Sequence, residues 1–534
     1  MFRKHVNHLV YGFVIAFLFI SIAGCGKKET AQKEIDVYTI ADPTGDWGFP
    51  SPYGHYPRGP GYIRMSFIFD TLVWKDDKGF VPALAESWKY LKTENAYLFK
   101  LRKGIRWHDG HKFSAHDVVF TFEYIKKHPY IWVDSRVVKK VEGDGDYSVK
   151  IYLSGLYAPF LNNVAGTMPI LPKHIYRDIH EPEICQNKKA AIGTGPYMLS
   201  DYDREHGSYL YTAYKEYYQG TPKIKIIKII RISNEMSANS LLQGRINATA
   251  IPAELVESLK NNGMKILSGS HDWVARMMIN HNKKPLNNKS FRRAISCAIN
   301  RQVIVDTCLR GHGLAASPGL MPSDNQWHNS MAEQHSYDPA KAEKILISIG
   351  YKRKGKYLIK NGYTPALELL LSGGGSSVAG APGERVGEMI KKYLEKVGIK
   401  ITLTSLESKT LDKRVGEWRF DLALSGHGGL GGDPATLNRV ILDLGFGKGS
   451  TSARYMQNKN LISLLKKQLQ EMDDNKRRVL IAGIQEAYAN DAPCAPLYYP
   501  TWHWAHDGNL ELYYTMGGIS IGVPIPMNKM SFCK

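Results

Sequence analysis

Ala366-Leu367-Glu368-Leu369-Leu370-Leu371 is a short apolar run of strand length, and Ser372-Gly373-Gly374-Gly375-Ser376-Ser377 follows it as a loop. Beyond the loop, Val386, Met389, Ile390, Tyr393, Leu394 and Val397 recur at helical spacing until Gly398 supplies a stop. Ile399, Ile401 and Leu403 then alternate as a second strand, which completes a strand, helix, strand unit. Similar grammar recurs elsewhere. Asp338-Pro339 reads as an N-cap with proline in the first turn of a helix that runs to about Ser348, before Gly350. Ser114 and Asp117 read as a capping box opening a helix through Val118, Val119 and Phe122. Alternation of strand and helix signals along the chain predicts a mixed α/β architecture.

The N-terminus reads differently. Arg3 and Lys4 precede an apolar run from Leu9 to Ile22 that closes on Ile22-Ala23-Gly24-Cys25, the pattern cut by a lipoprotein signal peptidase. The run is too short to span a bilayer comfortably, and a polar stretch follows it. Residues 1–24 are therefore expected to be a signal peptide, Cys25 the lipidated first residue, and 25–34 a solvated tether. No later segment is long and apolar enough to cross a membrane, so the rest should hang from a membrane surface as a soluble, extracytoplasmic body.

The chain has 534 residues, 43% hydrophobic and 11% aromatic, the composition of an ordinary globular protein with a large core. Its net charge of +20 is dispersed along the sequence, which fits a surface facing anionic lipid better than nucleic acid, where clustering is expected. Of six cysteines, Cys185, Cys297, Cys308, Cys494 and Cys533 remain after Cys25. Five is odd, and no spacing suggests a zinc site, so buried thiols are the default.

Ala85-Glu86-Ser87-Trp88, the stretch from Phe99 through Arg106-Trp107-His108-Asp109-Gly110, and Phe113-Ser114-Ala115-His116-Asp117-Val118-Val119-Phe120 closely resemble the hallmark of the family 5 solute-binding proteins, the peptide and nickel receptors of ABC importers. Gly193-Thr194-Gly195-Pro196-Tyr197 and Tyr218-Gln219-Gly220-Thr221-Pro222 are similar to later family segments. So are Phe291 to Ile295 with Ala298 to Arg301, Tyr337 to Ala342, Phe420-Asp421-Leu422 and Ala495-Pro496-Leu497-Tyr498, all in the family's order. The resemblance implies a two-lobed periplasmic-binding-protein fold, type II and cluster C-like, with an extra subdomain in the first lobe. The approximate division is 35–270 for the first lobe, 271–500 for the second and 501–534 for a return to the first. It also implies a monomer that closes on a small solute and delivers it to a permease and ATPase. Gly104, Gly110, Gly193 and Gly195 are then expected to serve turns, and Trp88 and Trp107 to pack.

Leu424-Ser425-Gly426-His427-Gly428-Gly429-Leu430-Gly431-Gly432-Asp433-Pro434 is the most informative stretch for the ligand, because its glycines let backbone approach a bound molecule. Counting back from Asp433-Pro434, the resemblance implies that peptide-binding members carry an aspartate where Leu430 stands, pairing there with the peptide's amino terminus. A leucine cannot compensate an enclosed ammonium. The departure favours a metal chelate or a non-standard peptide, and His427 is a candidate to stack on the ligand or to complete a metal's coordination. Gly429 and Asp433 are candidates on the same loop. Tyr53, Tyr56 and Arg58 fall where the family brings a loop into the cleft, Arg58 suiting a carboxylate. Tyr499 and Trp502 belong to a third aromatic patch with the same expectation, core packing being the alternative for both patches. No cofactor is called for beyond nickel or another metal arriving as a chelate. His108, Asp109, His111, His116 and Asp117 suggest a second metal site, but a surface turn and a helix start explain them better, with Asp117 as an N-cap partner.

Catalysis lacks a motif. There is no H-E-x-x-H and no G-x-S-x-G, and Gly445-Phe446-Gly447-Lys448-Gly449-Ser450 departs from a phosphate loop at its leading glycine and after its lysine. A peptide sensor or adhesin without transport is the alternative function, and a hydrolase on this fold is the least favoured.

Overall fold

The computed structural model describes residues 36–533, apart from 44, 270, 374–376, 379–380, 443–451 and 525. The expected signal peptide, Cys25 and tether, and the Gly445 to Ser450 stretch, lie outside the described residues.

Val37–Ala41 lies at the centre of a seven-stranded mixed sheet, parallel to Ile226–Ile230 on one side and to Ala248–Ile251 on the other. Beyond Ala248–Ile251 come His503–His506 and then Lys265–Ser268, and beyond Ile226–Ile230 come Ser208–Ala213 and Tyr197–Asp203, all antiparallel. A separate four-stranded antiparallel sheet, Ala85–Leu91, Ala96–Leu101, Ser148–Leu153 and Val138–Gly143, builds a subdomain against this body. The helix Ala115–Lys127 packs on that small sheet and starts at the expected capping box, with Ser114 accepting from the helix backbone and Asp117 accepting from Ser114 N at 3.0 Å.

A six-stranded sheet forms the second body, in the order Gly313–Ala315, Cys494–Pro500, Val274–Ile279, Leu422–His427, Ala366–Ser372 and Lys400–Leu406. The strand, helix, strand unit is here. Ala366–Ser372 and Lys400–Leu406 pair in parallel, the helix Gly383–Lys396 crosses between them, and Gly398 takes φ +86° at the stop. The helix Pro339–Ser348 begins at Asp338, whose carboxylate accepts from Lys341 N at 2.8 Å. Both faces of this sheet are covered. Along Val274–Ile279, Ala275, Met277 and Ile279 enter one apolar cluster while Val274 and Met278 enter the other. Arg276 is the exception, a fully buried cation within that strand.

The chain passes between the two bodies twice, once between the strands ending at Ser268 and starting at Val274 and once between those ending at Pro500 and starting at His503, and the segment after His506 packs on the first body. There Asn528 accepts from Trp74 Nε1 at 2.9 Å, and Lys529 pairs with Asp70 where both are fully buried. Trp107 is fully buried, and Gly193 and Gly195 stand where a side chain would strike the Ile68 carbonyl. No helix among the described residues is long and apolar enough to cross a membrane. Cys297 and Cys494 are buried thiols, without a disulfide.

Candidate functional site

The two crossings lie side by side. Gly269 N donates to Trp502 O at 2.8 Å, and the rings of Trp273 and Trp502 sit 5.8 Å apart. His271 joins Thr501 Oγ1 at 2.9 Å to Asp324 of the second body at 2.7 Å. Beside the first crossing, the glycine-rich loop after His427 also meets the first body's C-terminal segment. Gly429, at φ +88°, lies so close to Ile521 O that an added Cβ would come within 2.8 Å of it. Leu430 N donates to Asp272 O at 3.0 Å. At the far mouth, Ala158 N donates to Leu469 O at 2.7 Å and Arg58 pairs with Asp412 at 2.7 Å. The two bodies are thus lobes joined by a double hinge, with a seam between them that is bridged at both ends.

Four side chains on this seam, Lys75 and Tyr157 of the first lobe and His427 and Arg439 of the second, are surrounded by protein yet keep accessible surface. His427 closes the strand Leu422–His427, paired with Val274. Its Nδ1 lies 2.5 Å from Gly428 O, and because a carbonyl only accepts, Nδ1 carries the proton and Nε2 carries a lone pair. Burial, then the charges of Arg276 and Arg439, push its pKa down to about 3, so the ring is neutral at neutral pH. Burial lowers Lys75 to about 8 against the pull of Asp433 and Asp272. Its ammonium donates to Asn162 Oδ1 at 2.9 Å. Arg276 donates from Nη1 to Val440 O at 3.3 Å, while its Nε and Nη2 make no hydrogen bond among the described residues. A neutral acceptor set among cations suits a ligand that brings negative charge together with a donor or a metal ion.

The expected site residues divide sharply. His427 and Gly429 lie on the seam, and Trp502 lies at the hinge. Arg58 reaches across the mouth to Asp412 instead of into the seam, and Tyr56 is exposed beside Trp47. Leu430 requires a correction: its side chain is fully buried with Val274, Trp327 and Leu437 in the second lobe's core, and only its backbone faces the seam. Asp433 is bound by Arg477 through two hydrogen bonds of 2.9 and 2.6 Å and braces the glycine loop. Tyr499 is a core residue whose hydroxyl donates to Leu320 O at 2.8 Å. Tyr53 donates to His128 O at 2.7 Å and packs within a cluster of tyrosines in the first lobe.

Lys75, Tyr157, Arg276 and Arg439 escaped notice in the sequence. Their signal was available in part, since Val274-Ala275-Arg276-Met277-Met278-Ile279 and Leu437-Asn438-Arg439-Val440-Ile441 each set one cation inside an apolar run. A charge at such a place has to meet a partner or a ligand.

Two α/β lobes joined by a double crossing, with a seam between them, define a solute-binding protein of the periplasmic-binding-protein fold. The chain belongs to the bacterial extracellular solute-binding proteins, family 5, whose profile, described as the family's middle region, matches residues 79–444. It is 28% identical to the oligopeptide-binding protein AppA of Bacillus subtilis over 96% of each chain. Among solved structures, it is similar to that protein in complex with a nonapeptide, with a TM-score of 0.76, 24% identity, and 91% of this chain and 97% of the other covered. It is likewise similar to NikZ from Campylobacter jejuni in complex with Ni(L-His), with a TM-score of 0.78, 22% identity, and 92% and 98% covered.

Proposed function

We propose that this chain is the substrate-binding lipoprotein of an ABC importer, anchored through Cys25 on the extracytoplasmic side, which captures a peptide or metal-chelate solute between its lobes and presents it to a permease and ATPase. The observation that carries the ligand class is His427, a neutral imidazole whose Nε2 lone pair is left free by the Nδ1 contact to Gly428 O and whose proton affinity is lowered by burial and by the charges of Arg276 and Arg439. Such a lone pair ligates a chelated cation or accepts from a ligand N–H, while the cations offset carboxylates of the same ligand. Position 430 is a leucine whose side chain lies in the second lobe's core, so it offers the seam no carboxylate. Binding by enclosure, not turnover, is the chemistry this arrangement supports.

Calorimetry with nickel and L-histidine, and with di- and tripeptides in the presence of a chelator, tests the reading. His427→Ala is expected to weaken the bound solute by at least about tenfold, a change on the order of 1.4 kcal/mol. Unchanged affinity for every solute tested would remove His427 from the site. For the anchor, Cys25→Ser should release the protein from membranes, and full retention of unlipidated protein would overturn that assignment.

A further inference from the structure

Far from the seam in sequence terms, Asp109, His111 and His174 come together on the surface of the first lobe, each offering one ligand atom within 4.8 Å of the other two. Asp109 and His111 belong to a tight turn in which Gly110 N donates to Trp107 O at 2.8 Å and Trp107 N donates to His111 O at 2.8 Å. His174 arrives from the short helix Lys173–Tyr176, whose first N–H donates to Asp117 Oδ1 at 3.0 Å. Backbone contacts therefore place the turn and the helix, and the three side chains meet as a consequence. His174 Nε2 lies 2.8 Å from Asp109 Oδ2, and His111 Nδ1 lies 3.2 Å from Oδ1. The two imidazole rings stack with centroids 4.0 Å apart and planes 23° apart, so that both present a nitrogen to the same carboxylate.

The geometry points to a divalent transition-metal site at Asp109, His111 and His174, taking a cation of the zinc or nickel type. Two imidazole nitrogens and one carboxylate oxygen are the donor set that such borderline ions prefer, with metal–ligand distances of about 2.0–2.2 Å. The cation would replace the proton each imidazole now shares with the carboxylate, leaving outward positions to water. Trp107, fully buried with its ring 6.4 Å from that of His174, backs the site with a rigid wall. His111, with 61% of its side chain exposed, supplies the freedom to draw in onto an ion. His108 and His116 take no part: His108 is committed to Gly195 O at 2.9 Å, and His116 points to Asp146. Bound metal would tie the turn to the helix, 63 residues further along the chain.

The test uses the full chain, stripped of metal with a chelator and titrated with Zn²⁺ against a competing indicator dye at neutral pH, with Co²⁺ as a spectroscopic substitute. One equivalent is expected to bind. His111→Ala should weaken it at least about tenfold, and so should Asp109→Asn, by loss of a ligand. His427→Ala should leave it unchanged, which separates this site from any metal carried into the seam. Co²⁺ should show visible bands of nitrogen and oxygen ligation without a thiolate charge-transfer band. Zn²⁺ should raise the unfolding temperature of the unmodified chain and not that of His111→Ala. His111 is exposed, so its variant is expected to fold and decides the matter even if Asp109→Asn does not. Absence of a Zn²⁺ equivalent, the same affinity in His111→Ala, or loss of binding with His427→Ala would overturn the assignment.

Discussion

Arg477 with Asp433 and Arg58 with Asp412 are the same chemical pair set at two ends of the seam. The first is bidentate, with side-chain exposures of 4% and 17%, and Gln468 Oε1 accepts from the arginine's Nε and Nη2 as well. The second is a single contact between side chains 49% and 39% exposed. Water competes for the mouth pair at every moment, whereas the buried pair has no such alternative. The buried pair therefore builds the loop that carries His427 and Gly429, within one lobe. The mouth pair joins different lobes and can open and reform as they part. Identical residue types thus serve construction at one end and reversible closure at the other, and burial decides which.

That contrast is open to attack, first at its strong end. Asp433→Ala leaves the Arg477 guanidinium buried without its partner and is expected to cost about 3–5 kcal/mol of stability, measured by denaturant unfolding. A loss below about 1 kcal/mol would place the two pairs in one class. Leu430→Ala, on the same loop, empties a fully buried position and should cost about 3 kcal/mol. Its effect should appear in unfolding and scarcely in ligand affinity, since its side chain faces the core. Replacement by aspartate should destabilise further instead of creating a peptide anchor.

Acid sharpens the picture for buried groups. Burial holds His427 and His335 at about 3, and His55 and His108 at about 4, all below the ordinary value for an imidazole. The unfolded chain binds protons on these rings near pH 6.5 while the folded chain does not. Their stabilisation is therefore complete above about pH 6.5 and declines as pH falls toward 4, by roughly 1.4 kcal/mol per pH unit for each ring that stays neutral. A pH series of unfolding midpoints should show the decline, and His335→Gln should make it shallower. A flat series from 6.5 to 4 would mean that these rings are already solvated in the folded state.

The smallest effect belongs to the mouth. Arg58→Ala should change stability by less than about 1 kcal/mol, because an exposed pair gains little over water. It should instead speed ligand release at low salt, with the difference fading as salt rises. Stopped-flow release measured at two ionic strengths provides the check.

Local elements were highly legible. Asp338-Pro339, the Ser114 and Asp117 capping box and Gly398 each act through atoms within a few residues, so the sequence contained all the information their geometry needs. The site was legible only where a motif marked it. His427 and Gly429 were found from the glycine-rich loop. Lys75, Tyr157, Arg276 and Arg439 were not, because they come from separate segments and a lone cation in an apolar run carries no sign of what it faces. Leu430 misled for a related reason. A position can be located by counting from Asp433-Pro434, but the direction of its side chain is set by how the loop packs against Asp272 and Asn325.

By itself, then, the sequence determined the α/β grammar, the membership of family 5 through its ordered motifs, and the histidine within the glycine-rich loop. Those features depend on periodicity, turn chemistry and spacing, which are local. Only the tertiary structure decided which arginine braces and which latches, that Leu430 looks inward, and that His174 stands beside Asp109 and His111. These depend on burial and on contacts between segments that the chain brings together only when its sheets close, and neither exposure nor distance is written along the sequence.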